Sequence, residues 1–167
     1  MFNVFTSERL LIRNANETDI EYIMDLENQD ENKGFVYNES FETHLKQIKS
    51  ENELLFIVEE AKSKDKVGFI LSVVDELSDV FELRRIVIEK KSLGYGTEVI
   101  KGLMKYAFNN GETNRFWLDA FSNNDKGIHI YEKLGMTREG ILREAHKVDG
   151  KYIDLIVFSI LKSEFKE

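Results

Sequence analysis

The sequence predicts an α/β protein in which strands and helices follow the order βααβββαβαββ around a mixed sheet. Short runs of β-branched and aromatic residues alternate with segments whose apolar residues recur at helical spacing. A loop with two glycines joins a strand to a helix, and an Asp-Gly pair near the end of the chain marks a hairpin. With 167 residues, the chain is expected to form one domain, residues 1–167.

The first half of the chain supplies a strand, two helices and a hairpin. Residues 9–13 predict the first strand. Asn16 and Ser40 each precede a segment with apolar residues at helical spacing, which predicts two capped helices. The polar residues 28–39 between these helices predict a loop. Two apolar runs within residues 54–74 are separated by a short charged turn and predict a pair of antiparallel strands.

The middle of the chain combines a strand, a glycine loop and a long helix. Residues 81–88 are dense in large apolar residues and predict the strand. Gly94 and Gly96 follow, and apolar residues then recur at helical spacing as far as Phe108. Gly111 is expected to end this helix in the left-handed conformation. Because a helix N-terminus attracts anions, the loop is a candidate cradle for a phosphate or pyrophosphate, with a ligand-free turn as the alternative.

The last third of the chain alternates strand and helix before a closing hairpin. Residues 116–121 predict a strand, and residues 125–134 predict a helix that ends at Gly135. Two strands close the chain, and the Asp149-Gly150 pair between them is the strongest hairpin signal present.

Composition excludes several classes of function. A net charge of −8 argues against nucleic-acid binding, and it is compatible both with a cationic substrate and with simple solubility. The absence of cysteine excludes disulfides, cysteine–zinc sites and thiol nucleophiles. His44, His129 and His146 lie on unrelated elements and are expected to be surface or structural residues, so no metal site is predicted. Without a membrane-length apolar run or a signal-peptide pattern, a cytoplasmic location is expected.

Two segments resemble the GNAT family of N-acetyltransferases. Residues 91–96, KSLGYG, resemble its acyl-coenzyme A loop, Gln/Arg-x-x-Gly-x-Gly/Ala, although Lys91 lacks the planar fork of arginine. Residues 124–136 are similar to the family pattern Asn-x-x-Ala-x-x-x-Tyr-x-x-x-Gly-Phe. Residues 6–13 and 143–152 resemble the subgroup that includes ribosomal-protein alanine acetylases and spermidine acetyltransferases. The resemblance implies a mostly antiparallel sheet flanked by helices.

The resemblance also implies an enzyme that transfers an acetyl group from acetyl-coenzyme A to a primary amine. A polyamine, a protein N-terminus and an aminoglycoside all remain open as acceptors. Because the chain has no cysteine, a cysteinyl acyl-enzyme is excluded, and the two substrates are expected to react in a ternary complex. A non-catalytic module that binds or senses acyl-coenzyme A is the alternative. No nucleic-acid or membrane partner is expected, and the resemblance allows a homodimer.

Binding residues follow from the same resemblance. The residues expected to bind the cofactor are Ile86, Val87, Ile88, Lys91, Leu93, Gly94, Tyr95, Gly96, Thr97 and Asn124. The residues expected to bind the acceptor come from the loop between the first two helices and are Asp30, Glu31, Phe35 and Tyr37. For Asn124, a helix cap is the alternative role, and the two roles are compatible.

Two residues are expected to handle protons. Glu82 opens the strand before the glycine loop and is the predicted base for the amine, acting directly or through water. Its spacing from Gly94 is one residue longer than in some relatives, which predicts a bulge. The alternative for Glu82 is a structural ion pair with Arg84. Tyr131 is the predicted acid for the departing thiolate, and a tyrosine that merely covers the sheet is its alternative.

Overall fold

The computed structural model describes residues 3–167, which form eight β-strands and four α-helices. The strands are β1 Asn3–Thr6, β2 Leu10–Asn14, β3 Glu53–Glu60, β4 Lys66–Asp75, β5 Val80–Ile88, β6 Arg115–Phe121, β7 Thr137–Val148 and β8 Lys151–Leu161. The helices are α1 Ile20–Asn28, α2 Phe41–Lys49, α3 Tyr95–Asn109 and α4 Asp125–Lys133.

All eight strands belong to one sheet, in the order β1-β2-β3-β4-β5-β6-β8-β7. Only the β5–β6 pair is parallel among these strands, and every other neighbouring pair is antiparallel. The predicted fold class, a mixed α/β fold with a mostly antiparallel sheet, is therefore confirmed. The structure adds one strand, β1, which the sequence pattern did not reveal because it is only four residues long. Residues 1 and 2 of the predicted domain lie outside the described residues.

Local signals placed most helix ends correctly. The side chain of Asn16 accepts from Thr18 N–H and opens a 3₁₀ turn that leads into α1, and the side chain of Ser40 accepts from Thr43 N–H and caps α2. The Gly111 prediction is wrong, because that residue stays outside the left-handed region. Asn110 ends α3 instead, since both its backbone N–H and its side-chain amide donate to the Tyr106 carbonyl.

The sheet buries a hydrophobic core on each face. Helices α3 and α4 pack on one face, and α1 and α2 pack on the other. In β5, the register against β4 shifts so that Arg84 is an extra residue between Leu83 and Arg85. This bulge changes which residues face which core. Leu83 belongs to the α3 core, whereas Val87 belongs to the α1 core.

A buried ion network fastens the start of α1 to the sheet. Asp19 is 1% exposed and accepts from Arg13 Nη1 and Nη2 at 2.7 and 3.0 Å, and from Lys66 Nζ at 2.6 Å. Arg13 Nε also donates to Glu59 at 2.7 Å. Burial by itself raises the pKa of Asp19, but hydrogen bonds from Arg13, Lys66 and the Asn16 backbone outweigh it and lower that pKa to about 2.

We expect Asp19→Asn to lower the free energy of unfolding by about 3–5 kcal/mol, because it removes one of the two carboxylates that pair with the buried Arg13 guanidinium. The pKa of Asp19 is lower when folded, so its contribution is present at neutral pH and is lost as pH falls from about 4 through 2. Urea denaturation at pH 7 and at about pH 3 checks both points. The difference between wild type and variant should shrink at the lower pH, and a variant as stable as wild type at pH 7 would contradict this account.

Candidate active site

The parallel strands β5 and β6 separate part-way along the sheet. Their pairing ends at Glu82↔Trp117, although β5 continues to Ile88 and β6 continues to Phe121. β4 still pairs with β5, and β8 still pairs with β6, on the outer sides. A wedge-shaped opening therefore lies between the two strands. In the described part of the chain, residues 83–88 have no strand partner on the side of this opening.

The glycine loop closes one end of the opening. Gly94 has φ +78° and directly precedes α3, whose first N–H groups have no intrahelical acceptors. A Cβ built on Gly96 would lie 3.9 Å from the side chain of Ile130 on α4, so the two helices approach each other here. These free N–H groups lie at the positive end of α3, which is the feature on which the predicted anion site depends.

A lysine accompanies the loop. Lys91 Nζ donates to Asn32 Oδ1 at 3.3 Å. Partial burial lowers the pKa of Lys91, Glu31 opposes that change, and Lys126 at the start of α4 adds to it. Lys91 and Lys126 therefore place positive charge at the mouth of the opening, where an anionic ligand would stabilise both.

Side chains of Arg9 and Tyr95 anchor the loop. Arg9 donates to the Leu93 carbonyl at 3.0 Å and forms an ion pair with Glu98 at 2.7 Å. Tyr95 is 8% exposed, and its hydroxyl donates to Glu60 at 2.9 Å. The predicted cofactor residue Tyr95 thus turns its side chain into the protein and presents only its backbone to the loop.

The other predicted cofactor residues lie either on strand β5 or at the glycine loop. Ile86 and Ile88 face the α3 core, whereas Val87 is buried against α1, so Val87 offers the opening only its backbone. Leu93 is half exposed beside the loop, and Thr97 is half-buried in the first turn of α3. The strand residues therefore line the opening mainly as peptide groups, which suits an extended ligand with amides of its own.

Asn124 caps α4, as the alternative role predicted. Its Oδ1 accepts from Gly127 N–H at 3.1 Å. A Cβ at Gly127, where the GNAT pattern has alanine, would lie 2.6 Å from Asn124 Nδ2, so the side chain of Asn124 would have to shift to admit it. The cap occupies only Oδ1, so that Nδ2 can still donate to a ligand.

Tyr131 lies on the α3 side of the opening. It is 7% exposed, and its ring centre is 5.5 Å from that of Phe158. Burial, followed by the charge of Asp119, raises the pKa of Tyr131 to about 12. The phenol is therefore protonated at neutral pH, as a proton donor has to be. Its contact with Phe158 also fulfils the covering role that was the alternative.

Glu82 sits where the strands separate, and it is paired with Arg84. Its Oε1 and Oε2 accept from Arg84 Nε and Nη2 at 3.1 and 2.7 Å, and Arg84 Nη1 lies 3.5 Å from Glu53. Arg84 is the extra residue of the β5 bulge, in agreement with the bulge that the sequence spacing predicted. The structural alternative for Glu82 is therefore present in the molecule, and the role of Glu82 as a base stays a prediction.

An aromatic cluster forms the acceptor side of the opening. The ring centre of Phe35 is 6.0 Å from that of Phe121, and His146 stacks on Phe121 at 4.9 Å. Tyr37 contacts His146 edge to face, and its hydroxyl is hydrogen-bonded to His146 Nδ1. Phe35 and Tyr37 are thus linked through Phe121 and His146, and their role in binding the acceptor stays a prediction. Asp30 does not join them, because it pairs with Lys33 at the surface.

His146 is the functional candidate that the sequence analysis missed. It lies 109 residues from Tyr37 in the sequence, so no spacing rule connects them. The other two histidines fit the expectation: His44 is fully buried in a structural network, and His129 is exposed. Glu31 is also exposed, and it lies close enough to Lys91 to affect its pKa.

Buried charges hold the acceptor loop on β5. Arg85 donates to Glu27 at 2.7 Å and to Glu39 at 3.4 Å, and His44 Nε2 lies 3.1 Å from Glu27. The guanidinium of Arg85 also lies 5.9 Å from the ring centre of Tyr37. The bulge at Arg84 turns Arg85 toward α1, so this irregularity of β5 helps to position the loop.

A family model described as an acetyltransferase (GNAT) domain matches residues 12–157. The chain belongs to the GNAT family. A spermidine N(1)-acetyltransferase of Vibrio cholerae is 25% identical over 168 aligned residues, covering 95% of this chain and 96% of that protein. A crystal structure of the V. cholerae spermidine N-acetyltransferase with CoA and spermine aligns with a TM-score of 0.85 and 26% identity, covering 93% and 97%. The ribosomal L7/L12 acetyltransferase RimL, with coenzyme A, shares the fold at 15% identity and a TM-score of 0.82, covering 96% and 98%.

These matches confirm the predicted class of enzyme and its cofactor: the chain is a GNAT N-acetyltransferase that uses acetyl-CoA. Among residues 3–167, no helix is long and apolar enough to cross a membrane. The same residues contain no cluster of three acidic, histidine or cysteine side chains that could hold a metal ion. The individual site residues, the cytoplasmic location and the homodimer stay predictions.

Proposed function

We propose that this GNAT enzyme acetylates a primary amine of a polyamine, by direct attack of the amine on acetyl-CoA in a ternary complex. The observation that carries the proposal is the acidic and aromatic face beside the β5–β6 opening. Glu53, Glu82 and Asp119 supply carboxylates there, and Arg84 offsets part of their charge through its pairs with Glu82 and Glu53. The names of the V. cholerae relative and structure support the same class of acceptor. Residues 1–167 are proposed to act as one domain, since one sheet includes all the described strands.

The cofactor is proposed to lie along the opening. The N–H groups at the start of α3, together with Lys91, are suited to its pyrophosphate. The unpaired edge of residues 83–88 and Asn124 Nδ2 are suited to the amides of the pantetheine arm. This arrangement would bring the thioester to Tyr131, whose hydroxyl can protonate the departing sulfur.

The acceptor is proposed to approach from the opposite face. Phe35, Tyr37 and Phe121 offer apolar surface to the methylene groups between the nitrogens of a polyamine, while the carboxylates attract its ammonium groups. An ammonium with a pKa near ~10.4 has to lose a proton before it reacts, at a cost of about 4–5 kcal/mol at pH 7. Glu82 is proposed to assist this step, either by accepting the proton itself or by the effect of its negative charge on the groups around it.

A competition among three acceptors tests the proposal. Steady-state kcat/KM should be highest for spermidine, at least tenfold above an N-terminal peptide and an aminoglycoside, because only the polyamine presents several ammonium groups on an apolar chain. Thiol release and mass spectrometry of the acceptor measure the reaction. A preference for the peptide would overturn the proposed substrate class. Tight CoA binding without turnover of any amine would favour the acyl-CoA-sensing module instead.

A further inference from the structure

Two carboxylates stand at the point where β5 and β6 separate. Glu82 and Trp117 are the last paired residues, and parallel pairing places their side chains on the same face. Asp119 lies two residues beyond Trp117, so it projects on that face as the first such residue of β6 past the separation. The alternate residues Phe116, Leu118 and Ala120 are buried in the core on the opposite face, which confirms this orientation.

The two carboxylates differ in their partners. Both oxygens of Glu82 are occupied by Arg84, at 3.1 and 2.7 Å. The carboxylate of Asp119 has no hydrogen bond or ion pair anywhere in the described residues 3–167, and it is exposed to the opening. A base must have an oxygen that the substrate proton can reach. By this criterion Asp119 is better suited than Glu82 to accept a proton.

The surroundings of Asp119 also suit a base. Loss of hydration raises its pKa, and the charge of Glu82 raises it further, while Arg84 and His146 act in the opposite direction. The charge of Asp119 also contributes, after burial, to the raised pKa of Tyr131 on α4. A carboxylate with increased proton affinity therefore stands where β5 and β6 separate.

We propose that Asp119 binds the acceptor ammonium and takes its first proton, and that Glu82 is a positioning residue that acts on Asp119 through its charge. This inference rests on the proposed transfer to an amine. The ammonium gives one proton to Asp119, and the neutral nitrogen attacks the thioester carbon. The C–N bond forms and the C–S bond breaks. The sulfur takes a proton from Tyr131, which recovers one from the nitrogen, so that Asp119 finally releases a single proton to solvent.

The test compares Asp119→Asn with Glu82→Gln in pH profiles of kcat/KM for spermidine. Asp119→Asn should lower kcat/KM at pH 7 by about 10²-fold or more and should recover as pH rises toward the pKa of the amine. Glu82→Gln should lower kcat/KM at pH 7 by a smaller factor. It should also move the acid limb to lower pH, because the charge that hinders ionisation of Asp119 is gone. If Glu82 were the base, its removal would instead abolish that limb or move it to higher pH.

Controls separate chemistry from folding. Asp119→Glu keeps a carboxylate, and its kcat/KM should be at least tenfold above that of Asp119→Asn. Glu76→Gln removes an exposed carboxylate from the turn between β4 and β5 and should leave kcat/KM unchanged. CoA affinity and thermal unfolding should stay unchanged in all four variants. A kcat/KM of Asp119→Asn within threefold of the wild-type value would overturn the inference. A larger loss of kcat/KM in Glu82→Gln than in Asp119→Asn, with the acid limb shifted to higher pH, would also overturn it. Failure of the proposed function would appear in the wild-type protein itself, so the two failures are distinguishable.

Discussion

Replacing Gly94 with Val is expected to weaken CoA binding by more than 10²-fold while the protein stays folded. Gly94 has φ +78°, a conformation that costs a β-branched residue about 1–3 kcal/mol. Space alone does not forbid a side chain, since the nearest atom to a built Cβ is Arg9 Nη2 at 3.5 Å. The backbone would therefore relax toward negative φ. That change would turn the first N–H groups of α3 away from the pyrophosphate that they are proposed to bind.

A matched glycine supplies the control for Gly94→Val. Gly150 in the β7–β8 turn has φ +79° and open space around it, so that Gly150→Val introduces the same backbone strain away from the loop. Calorimetric titration with CoA and thermal unfolding should show similar losses of stability in both variants, but lost CoA affinity only in Gly94→Val. Unchanged CoA affinity in a folded Gly94→Val protein would remove the loop from the cofactor site.

Tyr131→Phe is expected to lower kcat by about 10²–10⁴-fold and to change CoA affinity by less than about threefold. The substitution keeps the ring that packs on Phe158 and deletes only the hydroxyl. Burial and Asp119 hold the pKa of that hydroxyl at about 12, so wild type is fully protonated over the working range. The loss should therefore be independent of pH between about 6 and 9.

Tyr106→Phe is the matched control for this prediction. Tyr106 lies on α3, and burial raises the pKa of its hydroxyl too, but it packs among Phe5, Phe56 and Phe81 away from the opening. Its kcat should match that of wild type. A Tyr131→Phe enzyme that loses less than threefold would mean that water or another group protonates the thiolate.

Features encoded by neighbouring residues were predictable from the sequence. Asn16 and Ser40 cap helices through contacts within three residues, and Asp149-Gly150 turns the hairpin with positive φ at both positions. The glycine loop was recognisable for the same reason. Gly111 shows the limit of such rules. The side chain of Asn110 donates to the Tyr106 carbonyl at the end of α3, and Gly111 does not adopt a positive φ.

The acceptor face was not predictable, because sheet topology creates it. Asp119 lies on the same face as Glu82 only because β6 inserts beside β5 and then separates from it. His146 reaches Tyr37 only because the β7–β8 hairpin packs against the acceptor loop, where a Cβ on Gly34 would lie 3.3 Å from Val148. The loop anchors Arg9 and Glu98 likewise pair across 89 residues of sequence. None of these contacts leaves a periodic signal in the chain.

Direct acetyl transfer to the amine is tested most directly by a single-turnover experiment. Enzyme in excess is mixed with acetyl-CoA and spermidine, quenched at intervals, and analysed by mass spectrometry for both the amine and the intact protein. The account predicts that N-acetylated spermidine forms at the rate of thiol release and that the protein is never acetylated. An acetyl group on the protein, with thiol release in a parallel reaction without spermidine, would contradict the account, and so would the absence of any acetylated amine.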